Sequence, residues 1–131
     1  MNNEEMTKVI DTALRSFSWD QSTALPEYIA HIVSSAQATL QRAGVEAADL
    51  DLLVPHQANQ RIIDAAVRRL GVPDEKVMSV LAHTGNTSAA SIPFALAEAA
   101  DQGRLADGDT VLLVGFGAGM TGASTLLRWG R

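Results

Sequence analysis

Two short polar segments, each preceded by an apolar run and followed by a helical pattern, constrain this chain more than any other feature. The first, Val54–Asn59, comes after the apolar run Leu50–Val54. The second, His83–Ser88, comes after the run Val77–Leu81. In α/β domains, ligands bind at the carboxyl ends of parallel strands. The pattern therefore predicts a parallel sheet in which two polar turns meet at one edge.

The side chains in these turns allow two interpretations. His56 and Asn59 in the first turn can converge with Asn86 and Thr87 in the second on one site. A neutral imidazole and an amide are both hydrogen-bond donors, so together they can stabilise an enolate or a tetrahedral intermediate, and an imidazole can move a proton near neutral pH. A single His or Asn at such a turn is more often a cap or turn residue. Both interpretations remain open on the residues alone.

Composition excludes several classes of protein. The chain has 131 residues, of which 47% are hydrophobic, so it can form one globular domain with a sizeable core. Its net charge of -5 argues against general binding to nucleic acids or anionic membranes. Because no apolar run reaches the ~18–20 residues of a membrane span, and because the amino terminus is polar, we expect a cytoplasmic protein.

The chain contains no cysteine, which excludes disulfides, thiolate metal sites and a Cys nucleophile within the sequence itself. The histidines His31, His56 and His83 lack the close spacing of a zinc site, so no metal is expected; His31 is interpreted as a surface residue. Ser88 and Ser91 are the remaining candidate nucleophiles, although serines after a turn are more often helix caps.

Hydrophobic spacing predicts a layered α/β domain with helices covering a mixed sheet. Helices are predicted over residues 4–17, 27–43, 58–70 and 89–101, and strands over residues 50–54, 77–81, 110–114 and 123–127. The last helix is apolar all round, which predicts that it is buried, and Pro93 predicts a kinked or delayed start. The last two strands, joined through glycines, predict an antiparallel pair.

Two further features have competing interpretations. The segment Gly115–Gly119 lacks the G-K-[ST] of a phosphate loop and leads into a strand, so its glycines more plausibly allow a tight backbone course beside a site. Arg61, Arg68 and Arg69 give the helix over 58–70 a basic face. They can be solvated or complement the helix dipole, or they can form a docking patch for an acidic partner or a phosphate-bearing ligand.

Three segments, in this order, resemble the carboxyl-terminal half of a β-ketoacyl-acyl-carrier-protein synthase III, a member of the thiolase-like superfamily. They are VPHQANQRI at 54–62, GNTSAASIP at 85–93 and GFGAG at 115–119. The resemblance implies a thiolase-like layered α-β-α half with a mixed sheet, the carboxyl-terminal domain of a condensing enzyme, over residues 26–131. Residues 1–25 are predicted to form a poorly matched, helical amino-terminal segment.

The resemblance also implies roles for individual residues. His56 and Asn86 match the residues that bind the malonyl thioester carbonyl and stabilise the enolate formed on decarboxylation. Asn59 matches a residue beside the pantetheine channel. The loop that shapes the acyl pocket corresponds to Phe116, Gly117 and Ala118. The basic helix that receives the acidic acyl carrier protein corresponds to Arg61, Arg68 and Arg69.

The departures from the family pattern limit what the chain can do alone. The family's nucleophilic Cys lies in an amino-terminal half that this chain lacks, so condensation of acyl-CoA with malonyl-acyl-carrier-protein, without a cofactor, requires a Cys-bearing half or a homologous subunit. We expect the chain to expose an apolar face that favours this association or a homo-oligomer. Gly122 stands where many members have Trp, which changes part of the pocket.

Two other functions remain open at this point. The chain can be a non-catalytic carrier-protein-binding or scaffold subunit of a synthase complex in fatty-acid or polyketide synthesis. It can also be a cysteine-free decarboxylase or acyltransferase that uses His56 and Asn86. An acyltransferase that is incomplete as a lone chain is the interpretation that the three segments favour.

Overall fold

A computed structural model describes residues 21–130 and shows a mixed sheet with helices on both faces. In chain order the elements are α1 (Gln21–Ala43), β1 (Leu52–Pro55), α2 (Gln60–Leu70), α3 (Leu81–Thr84), α4 (Ser91–Asp101), β2 (Thr110–Gly117) and β3 (Thr121–Arg128). The helix predicted over residues 4–17 lies outside the described residues. Among those described, no helix is both long enough and apolar enough to cross a membrane.

The three strands are ordered β1-β2-β3. β1 runs parallel to β2, with Leu53 opposite Leu112. β2 runs antiparallel to β3, with Leu112 opposite Leu126. Gly119, with φ 74°, lies in the short turn that joins the last two strands, a conformation that favours glycine. The predicted mixed sheet and the predicted antiparallel pair are therefore both confirmed.

Alternation along the strands divides the core into two layers. Successive side chains of a strand point to opposite faces of the sheet, so Leu53 packs with α1 and α2, whereas Leu52 and Val54 pack with α4. The buried residues of the first layer include Ile32, Ala36, Leu40, Ile63, Ala66, Val67 and Leu112. Those of the second include Met78, Val80, Ala95, Ala99 and Val111. This is the predicted α-β-α layering.

Helix α1 starts earlier than predicted and is tied to β3 by hydroxyl groups. It begins at Gln21, so Pro26 lies in its second turn and removes one backbone hydrogen bond there. The Thr39 and Ser35 hydroxyls lie 2.6 Å and 2.9 Å from Ser124 Oγ, which donates to the Ser35 carbonyl at 2.8 Å. His31 is exposed on this helix, as predicted.

The strand predicted over residues 77–81 is wrong. Only Val77 forms an isolated parallel bridge, opposite Leu53, and the Met78 N–H donates to the Leu53 carbonyl at 2.9 Å. The chain then leaves the sheet, and from Leu81 to Thr84 it forms the short helix α3. Met78 and Val80 are buried, and Val77 and Leu81 are partly buried. Hydrophobicity alone therefore does not distinguish an extended segment beside the sheet from a strand within it.

The side chain of Gln57 explains why the ladder stops. This fully buried amide donates from Nε2 to the Pro55 carbonyl at 2.8 Å and to the Met78 carbonyl at 3.2 Å. Its Oε1 accepts from the Val80 N–H at 2.9 Å. One side chain thus occupies the backbone groups that a neighbouring strand would use, and it satisfies them in a place that water does not reach.

Helix α4 begins at Ser91, so the delayed start predicted from Pro93 is confirmed. The prediction that this helix is buried is wrong. Its inner face is buried against the sheet, but Phe94 is 48% exposed, and Pro93 and Ala97 are exposed beside it. The apolar composition therefore reflects two faces with different surroundings: one covered by β1 and β2, the other open in this chain.

Replacing Gln57 with alanine is expected to destabilise the fold by about 3–5 kcal/mol, because two carbonyls and one N–H lose their partner in a buried place. Urea unfolding followed by circular dichroism measures this loss. Gln60→Ala is the matched control: its amide bonds Asp64 at the surface, so its removal should cost about 0.5 kcal/mol or less. Equal effects of the two substitutions would contradict the role assigned to Gln57.

Candidate functional site

His56 is held at the carboxyl end of β1 by its own backbone. Its N–H donates to the Val114 carbonyl at 2.7 Å and so extends the parallel pairing one residue beyond the strand. This bond places the imidazole beside β2, at the edge where α/β domains bind ligands. The first polar turn predicted from the sequence therefore lies where expected.

The imidazole ring of His56 is fixed by two neighbours. Its Nδ1 lies 2.5 Å from Ser91 Oγ at the start of α4. Phe116 of β2 packs edge-on against it, with ring centroids 5.2 Å apart. Burial lowers the pKa of His56 below its ordinary value of 6.5, because the charged form loses solvation. The ring is therefore neutral near pH 7.

Asn86 belongs to the second polar turn, and its amide is oriented by the same turn. Its Oδ1 accepts from the Ser88 N–H at 2.9 Å. Ser88 has a positive φ of 55°, which is uncommon for a residue with a side chain. Since the carbonyl oxygen of the amide is engaged by the backbone, the NH₂ group is the part of Asn86 that remains to donate to a ligand.

His56 and Asn86 line one open cleft of about 400 Å³. Phe116 and Gly117, both predicted at the acyl pocket, line the same cleft, and Ser91 does so from α4. The structure thus brings together four of the predicted site residues from three parts of the chain. Ala118, the fifth residue of this group, lies in the turn that follows β2.

Asn59 does not line the cleft. It is the N-cap of α2: its Oδ1 accepts from the Arg61 N–H at 2.9 Å, and the side chain is exposed. The helix consequently starts at Gln60 rather than at Ala58, where the apolar spacing had placed its start. The position of Asn59 beside a pantetheine channel stays a prediction.

The three predicted arginines are exposed on α2. Arg61 and Arg68 are two turns apart and share a face, whereas Arg69 lies about 80° round the helix from Arg61. Within residues 21–130, none of the three forms an ion pair. Arg68 lines an open groove of about 640 Å³ with the carboxylates Asp64 and Asp74, which reduce the positive charge there.

The other two histidines do not join the cleft. His31 is exposed on α1, and His83 Nε2 lies 2.8 Å from a carboxylate oxygen of Glu98 at the surface. In the part of the chain that the structure describes, no group of three or more His, Cys, Asp or Glu side chains is close enough to hold a metal ion. The described residues that line the cleft include no Asp, Glu, Lys or Arg.

Sequence reasoning assigned no role to Gln57 and weighed Ser91 only as a cap or a nucleophile. Ser91 is almost completely buried, and its hydroxyl contacts His56 Nδ1 and the Gln57 N–H instead of capping α4. The available signal was a polar residue within an otherwise apolar helical pattern, on the face that carries Ala95 and Ala99. A buried hydroxyl at such a position needs a polar partner.

Acidification is expected to destabilise the protein through His56. Above the ordinary pKa of 6.5 the ring is neutral in both the folded and the unfolded state. As the pH falls, the unfolded state binds the proton first, so the free energy of unfolding decreases until the folded His56 is protonated too. NMR titration of the ring and urea unfolding at about pH 8 and about pH 5 measure these effects.

His56→Asn should remove this part of the pH dependence, whereas the matched control His31→Asn, at an exposed position on α1, should retain it. A titration midpoint for His56 at or above 6.5 would contradict the lowered pKa.

A family model described as "3-Oxoacyl-[acyl-carrier-protein (ACP)] synthase III C terminal" matches residues 40–129. The β-ketoacyl-[acyl-carrier-protein] synthase III of Listeria welshimeri is 53% identical over 92 residues, which are 70% of this chain and 30% of that protein. The enzyme of the same name from Symbiobacterium thermophilum is 58% identical over 92 residues, 70% of this chain and 28% of that protein.

Solved structures agree with the sequence matches. The 3-oxoacyl-(acyl carrier protein) synthase III of Pseudomonas aeruginosa superimposes with a TM-score of 0.81 and 46% identity, covering 86% of this chain and 35% of that one. A priming β-ketosynthase from the R1128 polyketide biosynthetic pathway gives a TM-score of 0.73 and 43% identity, over 83% and 34% of the two chains.

The family match covers more than half of the chain, and both kinds of relative are about three times as long as the part they share with it. The chain belongs to the 3-oxoacyl-acyl-carrier-protein synthase III family and corresponds to its carboxyl-terminal part, one half of the thiolase-like fold.

Proposed function

We propose that this chain supplies the enolate-stabilising groups of a decarboxylative condensation in fatty-acid or polyketide synthesis. The observation that carries the proposal is that His56 and Asn86, from two separate turns, line one cleft. The neutral state of His56 and the fixed carbonyl of Asn86 support it, because both side chains then have an N–H group available. The substrates are proposed to be acyl-CoA and malonyl-acyl-carrier-protein.

The chemistry that these groups fit is the loss of CO₂ from a malonyl thioester. The bond between the carboxylate carbon and the α-carbon breaks, and its electron pair becomes the enolate, with negative charge on the thioester oxygen. Two N–H donors aimed at that oxygen lower the barrier, and each raises the rate by a factor of about 10²–10³. The enolate carbon then attacks the acyl thioester of a cysteine, whose thiolate leaves.

The cysteine must come from outside this sequence, which contains none. We propose that a Cys-bearing half or a homologous subunit packs against the open face of α4, formed by Pro93, Phe94 and Ala97. Phe94 is 48% exposed, the large apolar residue that stands out on the described surface. Covering it would remove apolar area from water and bring the partner's cysteine to the cleft beside it.

The walls of the cleft suggest where the acyl group lies. Phe116 and Gly117 line it together with Ile92, so the side chains around His56 are apolar apart from the two donors and two serines, Ser88 and Ser91. We propose that this wall, with Ala118, shapes the acyl pocket. The proposed surface for the acyl carrier protein is the exposed face of α2 with Arg61, Arg68 and Arg69, because that partner is acidic.

Condensation in a mixture of this chain with the Cys-bearing half of a synthase III tests the proposal. We expect a stable mixed complex by light scattering and formation of 3-oxoacyl product from acetyl-CoA and malonyl-acyl-carrier-protein. His56→Ala and Asn86→Ala should each reduce the rate about 10²–10³-fold while the complex still forms. His31→Ala, an exposed histidine, is the matched control and should keep the full rate.

The alternatives give different outcomes. A non-catalytic scaffold would bind the carrier protein, and His56→Ala would not weaken that binding. Turnover of malonyl thioester by this chain alone, abolished in His56→Ala, would favour a cysteine-free decarboxylase. A complex that condenses equally well without His56 and Asn86 would contradict the proposed roles.

Charge reversal at Arg61 should weaken binding of the acyl carrier protein roughly 3- to 10-fold, with the larger effect at low salt, because exposed charge pairs are screened. Arg42→Glu is the matched control: Arg42 is also exposed in a helix, near the end of α1 and not on α2. Titration of the labelled carrier protein by fluorescence anisotropy measures both. Equal weakening by the two substitutions would indicate net charge, not a docking surface.

A further inference from the structure

We propose that Ser91 is a positioning residue that fixes the tautomer of His56, so that the ring carries its proton on Nε2. The catalytic meaning of this inference rests on the proposed function. The tautomer itself is a property of this chain and can be measured without any substrate or partner.

The inference begins with the contacts of one buried hydroxyl. Ser91 is 1% exposed, and its Oγ lies 2.5 Å from His56 Nδ1 and 3.2 Å from the backbone nitrogen of Gln57. A backbone N–H can only donate, so the Gln57 N–H occupies one lone pair of Oγ. The hydroxyl has one proton, and within residues 21–130 the acceptor in reach of it is His56 Nδ1.

Accounting for the protons separates the two neutral tautomers. With the ring proton on Nε2, Nδ1 accepts from the Ser91 hydroxyl, and every polar atom of the contact is paired. With the ring proton on Nδ1, both His56 and the Gln57 N–H would donate to the same oxygen. The hydroxyl proton would then be buried without an acceptor, which is unfavourable.

A Ser–His contact can also indicate a nucleophile activated by a base. The environment of Ser91 argues against that role. A hydroxyl of a residue that is 1% exposed, and that already accepts a backbone N–H, is poorly placed to reach a carbonyl carbon of a substrate. Ser91 instead acts through His56, by deciding which ring nitrogen carries the proton.

The consequence is that His56 presents a donor and not a base. The nitrogen left for a ligand in the cleft is Nε2, which carries a proton, and Asn86 contributes an NH₂ group to the same cleft. Two donors suit an oxygen that gains negative charge. Phe116, packed edge-on with ring centroids 5.2 Å apart, restricts the flip of the ring that would turn Nδ1 away from Ser91.

NMR of the chain with ¹⁵N-labelled histidine tests the proposal, because the two ring nitrogens have distinct shifts in each tautomer. At about pH 8, where the ring is neutral, we expect a single Nε2–H form for His56. Ser91→Ala should convert it to a mixture of both forms. Ser91→Thr, which keeps the hydroxyl, should restore the single form. His31, exposed on α1, is the internal reference that should not change.

Two results would overturn the proposal: a proton on Nδ1 in the unsubstituted chain, or an unchanged spectrum of His56 in Ser91→Ala. The first needs no variant, so the test stands even if a substitution prevents folding. If the tautomer proposal fails, the condensation assay still tests the proposed function independently. Conversely, a confirmed tautomer with no condensation in the mixed complex would support the Ser91 role and refute the proposed function.

Discussion

The buried amide of Gln57 is the interaction on which the rest of the structure depends. Its side chain bonds Pro55 at the end of β1 and the segment from Met78 to Val80, while its backbone N–H bonds Ser91 at the start of α4. Three parts of the chain are thus held by one residue. Because a buried polar group is costly unless it is fully paired, this arrangement specifies a single packing of the three.

The same arrangement determines the geometry of the cleft. His56 adjoins Gln57, and its position is set from three directions: by Val114 through the backbone, by Ser91 through the ring nitrogen and by Phe116 through the ring edge. Asn86 is set by its own turn. Donors that are already oriented need no rearrangement when charge develops on a ligand, which is the basis of electrostatic catalysis.

Much of this could be predicted from the sequence. The antiparallel pair, the helices on both faces and the two polar turns follow from spacing and from glycine and proline. The strand predicted after Val77 is wrong because hydrophobic spacing does not reveal the hydrogen bonds that the Gln57 side chain makes with this segment. The prediction that helix α4 is buried is wrong because apolar composition does not show whether a face, here the one around Phe94, is covered within the same chain.

The contacts that orient His56 and Asn86 all lie within this chain: Ser91, Val114 and Phe116 for the imidazole, Ser88 for the amide. Under the proposed function, the donors therefore keep their directions whichever polypeptide supplies the nucleophile. A site divided in this way is modular. Under the proposed function, chimeras that join this part to nucleophile-bearing parts of different relatives would leave the carbanion chemistry unchanged, because the groups that stabilise the carbanion stay with this chain.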